Sequence, residues 1–136
     1  LTETSRNSAS AESATYTLTG DDTDNAATFS TYANFDGRTD TTASLTESLP
    51  ARTADVERNT GSLKTVIQEI VDRAGWASGN ALAILQKDTA SPLADDYVAH
   101  SYDNDTSKAA KLHVEYTALQ PESGSVSILT AAGILR

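Results

Sequence analysis

The sequence predicts a mainly β domain, an antiparallel sandwich with one short helix at about 62–74. Three observations predict it. Apolar and polar residues alternate with period 2 in separate short segments, polar turns divide those segments, and one stretch only carries the helical period. Ser and Thr fill about a quarter of the 136 positions, a composition that suits turns and solvent-facing strand positions better than long helices.

Leu1 to Ser13 show no sustained periodicity and read as a loop or arm. Ala14, Tyr16 and Leu18 alternate with Thr15, Thr17 and Thr19, the pattern of a half-buried strand that stops at Gly20. Asp21 to Asn25 form an acidic turn. Phe29, Tyr32 and Phe35 follow at a spacing of three in a stretch read as irregular, with a short strand available at Thr39 to Leu45. Leu63, Val66, Ile67, Ile70 and Val71 make one apolar stripe, so a helix is expected, with Ser62 to cap it and Gly75 to end it in a left-handed conformation. Trp76 is placed to close its dock on the core. After the Ser78-Gly79-Asn80 turn, Ala81 to Leu85 read as a strand buried on both faces, ended by Gln86, Lys87 and Asp88. Tyr97 to Tyr102 lead to a second acidic turn at Asp103 to Asp105. Leu112, Val114 and Tyr116 then alternate with Lys111, His113 and Glu115, the strongest strand signal in the chain. Val126 and Ile128 offer a last strand. The division expected is an arm at 1–13, a sandwich domain at 14–117 and a tail at 118–136. A sandwich of this kind has about seven strands or more, and five or six are visible here. Either the Thr-rich segments hide strands, or the first strands lie upstream of Leu1.

Ten basic against 19 acidic residues give a net charge of −9, which argues against unaided binding to nucleic acid or an anionic membrane. The absence of cysteine excludes disulfides, zinc-thiolate sites and thiol nucleophiles. No apolar run approaches the roughly 20 residues of a membrane-spanning helix. With no methionine and Leu1 at its start, the chain reads as part of a longer product.

The stretch Val66-Ile67-Gln68-Glu69-Ile70-Val71-Asp72-Arg73, followed by Gly75-Trp76-Ala77-Ser78-Gly79-Asn80-Ala81-Leu82, is similar to the C-terminal half of β-sandwich modules of the DNRLRE and carbohydrate-binding type. Ser101-Tyr102-Asp103 with Ala110-Lys111-Leu112-His113-Val114-Glu115-Tyr116, and the earlier Gly20 to Phe29 segment, resemble further parts of those modules in the same order. The resemblance covers about 14–117. It implies a jelly-roll-like sandwich used for adhesion, surface display or glycan contact, without catalysis. Variants close to this wording occur in structural proteins of tailed phages, and others in secreted or surface proteins of bacteria. The family begins with two or more strands before the Gly20 segment, and here only thirteen Ser- and Thr-rich residues precede Ala14. The expected role is therefore a non-enzymatic virion module, a tail appendage or capsid decoration concerned with host attachment, located on the virion surface or extracellularly. Its expected partners are other virion proteins, further copies of itself and cell-surface glycan. A carbohydrate-binding or adhesion module of a secreted bacterial surface protein is the alternative.

Candidate residues follow from chemistry. Asp22, Asp24, Asp103 and Asp105 place hard oxygens at alternating turn positions, so a structural turn is the first reading and a calcium site the second. Neither turn completes the D-x-D-x-D-G pattern. Tyr32, Phe35, Tyr97 and Tyr102 are the aromatics available to stack on sugar faces, while Tyr16, Tyr116 and Trp76 belong with the core. His100 and His113 have no neighbouring ligands or nucleophile to serve, and both read as surface or cross-strand residues.

Overall fold

A computed structural model describes residues 1–6, 14–49, 52–88 and 98–117. Among them the protein is mainly β, with five strands in two antiparallel sheets and two helices. β1 (Thr2–Thr4) and β2 (Ala14–Gly20) come first, followed by α1 (Tyr32–Asp36) and β3 (Leu45–Leu49). β4 (Glu57–Asn59), α2 (Lys64–Val71) and β5 (Ile84–Asp88) complete the order.

The alternation at Ala14 to Gly20 makes β2 the centre of the larger sheet, in the order β3-β2-β5. One face of it is the Thr face: Thr15 lies opposite Ser48 and Thr17 opposite Thr46, with their hydroxyls 3.3 and 3.1 Å apart. Such cross-strand hydroxyl pairs stabilise an exposed face without apolar cover. The other face is the core. Tyr16 and Leu18 pack there with Leu63 and Val66, and Leu18, Leu85, Val66 and Ile70 are all fully buried. The stripe on α2 thus docks on β2, as a helix of two turns must if it is to persist. Gly20 is where the two come closest. A Cβ there would lie 2.5 Å from Ile70 Cδ1 and 3.1 Å from Thr41 Cγ2, so a larger residue would make the buried Ile70 side chain shift.

The smaller sheet pairs β1 with β4, Thr2 opposite Asn59 and Thr4 opposite Glu57. The far edge of β1 carries the bridges Ser5 to Ala99 and Thr2 to Lys111. Arg58 of β4 links the sheets, since its guanidinium donates to the Tyr16 hydroxyl and to the Glu47 carboxylate.

Several expectations are corrected. Leu1 to Arg6 are no arm: Thr2–Thr4 is a strand, because its partner at 57–59 supplies a ladder that no local pattern announces. The strand expected at 39–45 lies at Leu45–Leu49, and the strand expected at 81–85 lies at Ile84–Asp88, with Gln86, Lys87 and Asp88 inside the ladder opposite Leu18, Thr17 and Tyr16. Residues 81–83 are held by the acidic turn instead: Ala81 N–H donates to Asn25 Oδ1 at 2.8 Å, and the Ala81 and Ala83 carbonyls accept from Ala26 and Asp21 N–H. The segment 112–116 is not a strand among the described residues. Leu112, Val114 and Tyr116 are 37%, 48% and 83% exposed, since alternation marks which side chains share a face but supplies no partner to cover them. Tyr116 is therefore not core, whereas Tyr16 is, and Trp76 is half-buried. Ser62 Oγ accepts the Lys64 N–H at 3.3 Å, just ahead of the cap position at Leu63. Gly75 is not left-handed; among the described glycines that conformation occurs at Gly79, in the expected turn. Val126 and Ile128 lie outside the described residues, among which no helix is long and apolar enough to cross a membrane.

Candidate functional site

Charge and aromatic surface concentrate where β2 ends. Asp21 follows Gly20 and is buried, and its carboxylate accepts from Arg38 Nη1 at 2.5 Å. The two side chains are 9% and 7% exposed, so each ion depends on the other for what water no longer supplies. Arg38 also donates to the Ala27 carbonyl and, at 3.2 Å, to Asn34 Oδ1, and its guanidinium lies 4.0 Å from the centre of the Phe29 ring. One cation thus ties both ends and the middle of the 21–38 excursion to one another.

α1 rides on that excursion. Thr31 Oγ1 accepts the Asn34 N–H at 3.1 Å as its N-cap, and Gly37 N–H closes the other end on Ala33 O. Phe29 and Phe35 meet at 5.9 Å between ring centres, tilted by 53°, and Tyr32 and Phe35 at 6.3 Å and 34°. Tyr32 is 79% exposed and Phe29 45%, with Phe35 half-buried between them. Lys87 Nζ stands 5.9 Å from the Phe35 ring centre and bonds to Asp40, which also accepts from Thr19 Oγ1 at 2.8 Å. The result is an exposed ridge of three rings flanked by an amide, an ammonium and a carboxylate.

Of the residues expected from the sequence to stack on a ligand, Tyr32 and Phe35 come together here. Tyr102 is exposed but stands on the turn after His100, whose N–H donates to Thr4 of the smaller sheet, and it has no ring contact among the described residues. Tyr97 lies outside the described residues. Phe29 and Arg38 were not expected. The spacing of three among the aromatics signalled Phe29, whereas nothing local signals Arg38, because its partner Asp21 is 17 residues away.

The acidic turns use their oxygens internally. Asp22 and Asp24 converge on Arg73, with Asp24 Oδ1 2.7 Å from Nε and Asp22 bonded to Nη1. The cation between these two carboxylates is a guanidinium. Gly75 makes room for it, because a Cβ there would collide with the Asp24 carboxylate. Asp105 accepts the Ser107 hydroxyl at 2.7 Å and the Ser107 N–H at 3.0 Å, and Asp103 is exposed. Among the described residues no three Asp, Glu or His side chains gather as a group that could hold a metal ion. His100 lies 3.1 Å from Asp55, which Lys108 also reaches at 2.7 Å, and His113 contacts Glu115 at the surface.

Among the described residues four carboxyls sit below their ordinary range. Hydrogen bonds from Lys108 and His100 lower Asp55, the backbone N–H groups of Ala43 and Thr42 lower Glu69, and the Ser107 hydroxyl and N–H lower Asp105. At Asp40 burial works upward, but the Lys87 ammonium and Thr19 hydroxyl outweigh it. A carboxyl lowered on folding contributes stability that is present above its unfolded pKa and lost as pH falls through the folded one. The melting temperature followed by circular dichroism is therefore expected to stay level from pH 7 to about pH 5 and to fall below about pH 4. Glu69→Gln, which cannot titrate, should make that fall shallower; an unchanged slope would remove Glu69 from the account.

Compared with known proteins, the chain matches no family model, no curated protein and no solved structure.

Proposed function

We propose that this chain is a non-enzymatic attachment module, a jelly-roll-like sandwich serving as a tail appendage or decoration of a tailed-phage virion, that meets host-surface glycan through the ridge of Phe29, Tyr32 and Phe35. The observation that carries this reading is the way the ridge is held. Exposed aromatic rings cost solvation, and here a buried ion pair, a helix cap and two ring contacts keep them in place. Rings fixed in advance lose little freedom when a flat, hydroxyl-bearing ligand stacks on them, and Asn34, Asp40 and Lys87 supply the polar rim such a ligand needs. The virion setting draws on the resemblance and on the net charge of −9, which suits a solvent-facing exterior. The same ridge would serve the alternative, a carbohydrate-binding module of a bacterial surface protein.

A glycan array probed with the labelled chain tests the reading. Specific hits are expected, lost at least tenfold in Tyr32→Ala and Phe35→Ala. Tyr32→Ala should keep its melting temperature, because the ring is largely exposed. No hit, or hits indifferent to both substitutions, would sink the ridge as a contact surface.

A further inference from the structure

We infer that residues 111–117 form a pairing edge for a second copy of this chain, joined antiparallel about Val114. Lys111 is hydrogen-bonded through both its N–H and its C=O to Thr2, at 2.9 Å each way, so the segment leaves the smaller sheet in register with β1. In an antiparallel ladder a residue bonded on one edge alternates with residues bonded on the other. With Lys111 committed to β1, the free edge belongs to Leu112, Val114 and Tyr116. Among the described residues these three make no backbone hydrogen bond. His113 Nε2 lies 3.2 Å from Glu115 Oε1, the same-face contact between residues two apart that extended backbone produces.

The sequence here is complementary to itself when reversed. With Val114 opposite its own copy, Leu112 faces Tyr116, His113 faces Glu115 and Lys111 faces Thr117. Apolar groups then meet on one face and a base meets an acid on the other, and no like charges oppose each other. The pairing is isologous, so it closes at two copies, and it joins the smaller sheets of both into one. An unpaired edge bearing three apolar side chains is otherwise an open invitation to aggregation. The inference is independent of the ridge and of any glycan.

Light scattering after size-exclusion chromatography of the full chain, with amide hydrogen exchange, tests it. A dimer is expected, with slow exchange at Leu112, Val114 and Tyr116. Val114→Lys, which sets two ammonium groups opposite each other at an exposed position, should give a folded monomer by circular dichroism with fast exchange there. Glu115→Lys should raise the dimer dissociation constant about tenfold, and adding His113→Glu should restore it, since acid and base have then only changed places. A wild-type monomer overturns the inference, whether its amides exchange fast or are protected by another segment of the same chain. So does a dimer that Val114→Lys leaves intact.

Discussion

Arg38→Ala is expected to lower the free energy of unfolding by about 3 kcal/mol or more, because it leaves the Asp21 carboxylate buried without its counter-ion. The loss should greatly exceed that of an exposed charge. The Ala27 carbonyl, Asn34 and the Phe29 ring lose their common partner in the same step, so the ridge is expected to loosen even where the sheet survives. Urea titration measures the first effect and the near-ultraviolet signal of the aromatics the second. Combining Arg38→Ala with Asp21→Ala should recover part of the stability, since no buried charge is then left alone. A single-substitution loss below about 1 kcal/mol would mean that water reaches Asp21 and that the pair is an ordinary surface contact.

Leu18→Ala is expected to cost about 3 to 4 kcal/mol, by lost burial and by the cavity left behind. Leu18 is fully buried at the middle of β2, between the strands on either side and beneath α2, so no single neighbour can move in to fill the space. A melting temperature roughly 10 °C lower would accompany it. A drop of only one or two degrees would show that the core around Leu18 is already loose.

These two residues were not equally legible. Leu18 lies on the apolar side of an alternating segment, and its burial follows from period alone. α2 was legible for the same reason, through the spacing of Leu63, Val66, Ile67 and Ile70. Arg38 carries no pattern. Its importance comes from a turn that returns it to Asp21, and the meeting of distant residues leaves no periodic trace in a sequence. β1 and β4 escaped likewise, three residues each and paired across more than fifty positions. Leu112 to Tyr116 show the converse, a clear period with no paired strand among the described residues.

Two of the three rings of the candidate ridge, Tyr32 and Phe35, were visible, because aromatics are few and each is conspicuous. What stood beside them was not. The acidic turn at Asp22 and Asp24 was read from its own oxygens, as a structural turn first and a calcium site second, while Arg73 lay some fifty residues away at the end of the helix. The sequence by itself determined the mainly β character, the core strand, the docked helix and the acidic, thiol-free chemistry of this protein. Those features depend on residues close together in the chain, where period and composition act directly. Only the tertiary structure decided which cation each buried or clustered acid meets, which glycines must stay small, and which aromatic rings stand in the open. Each of these is set by distance in space between parts of the chain whose order places them far apart.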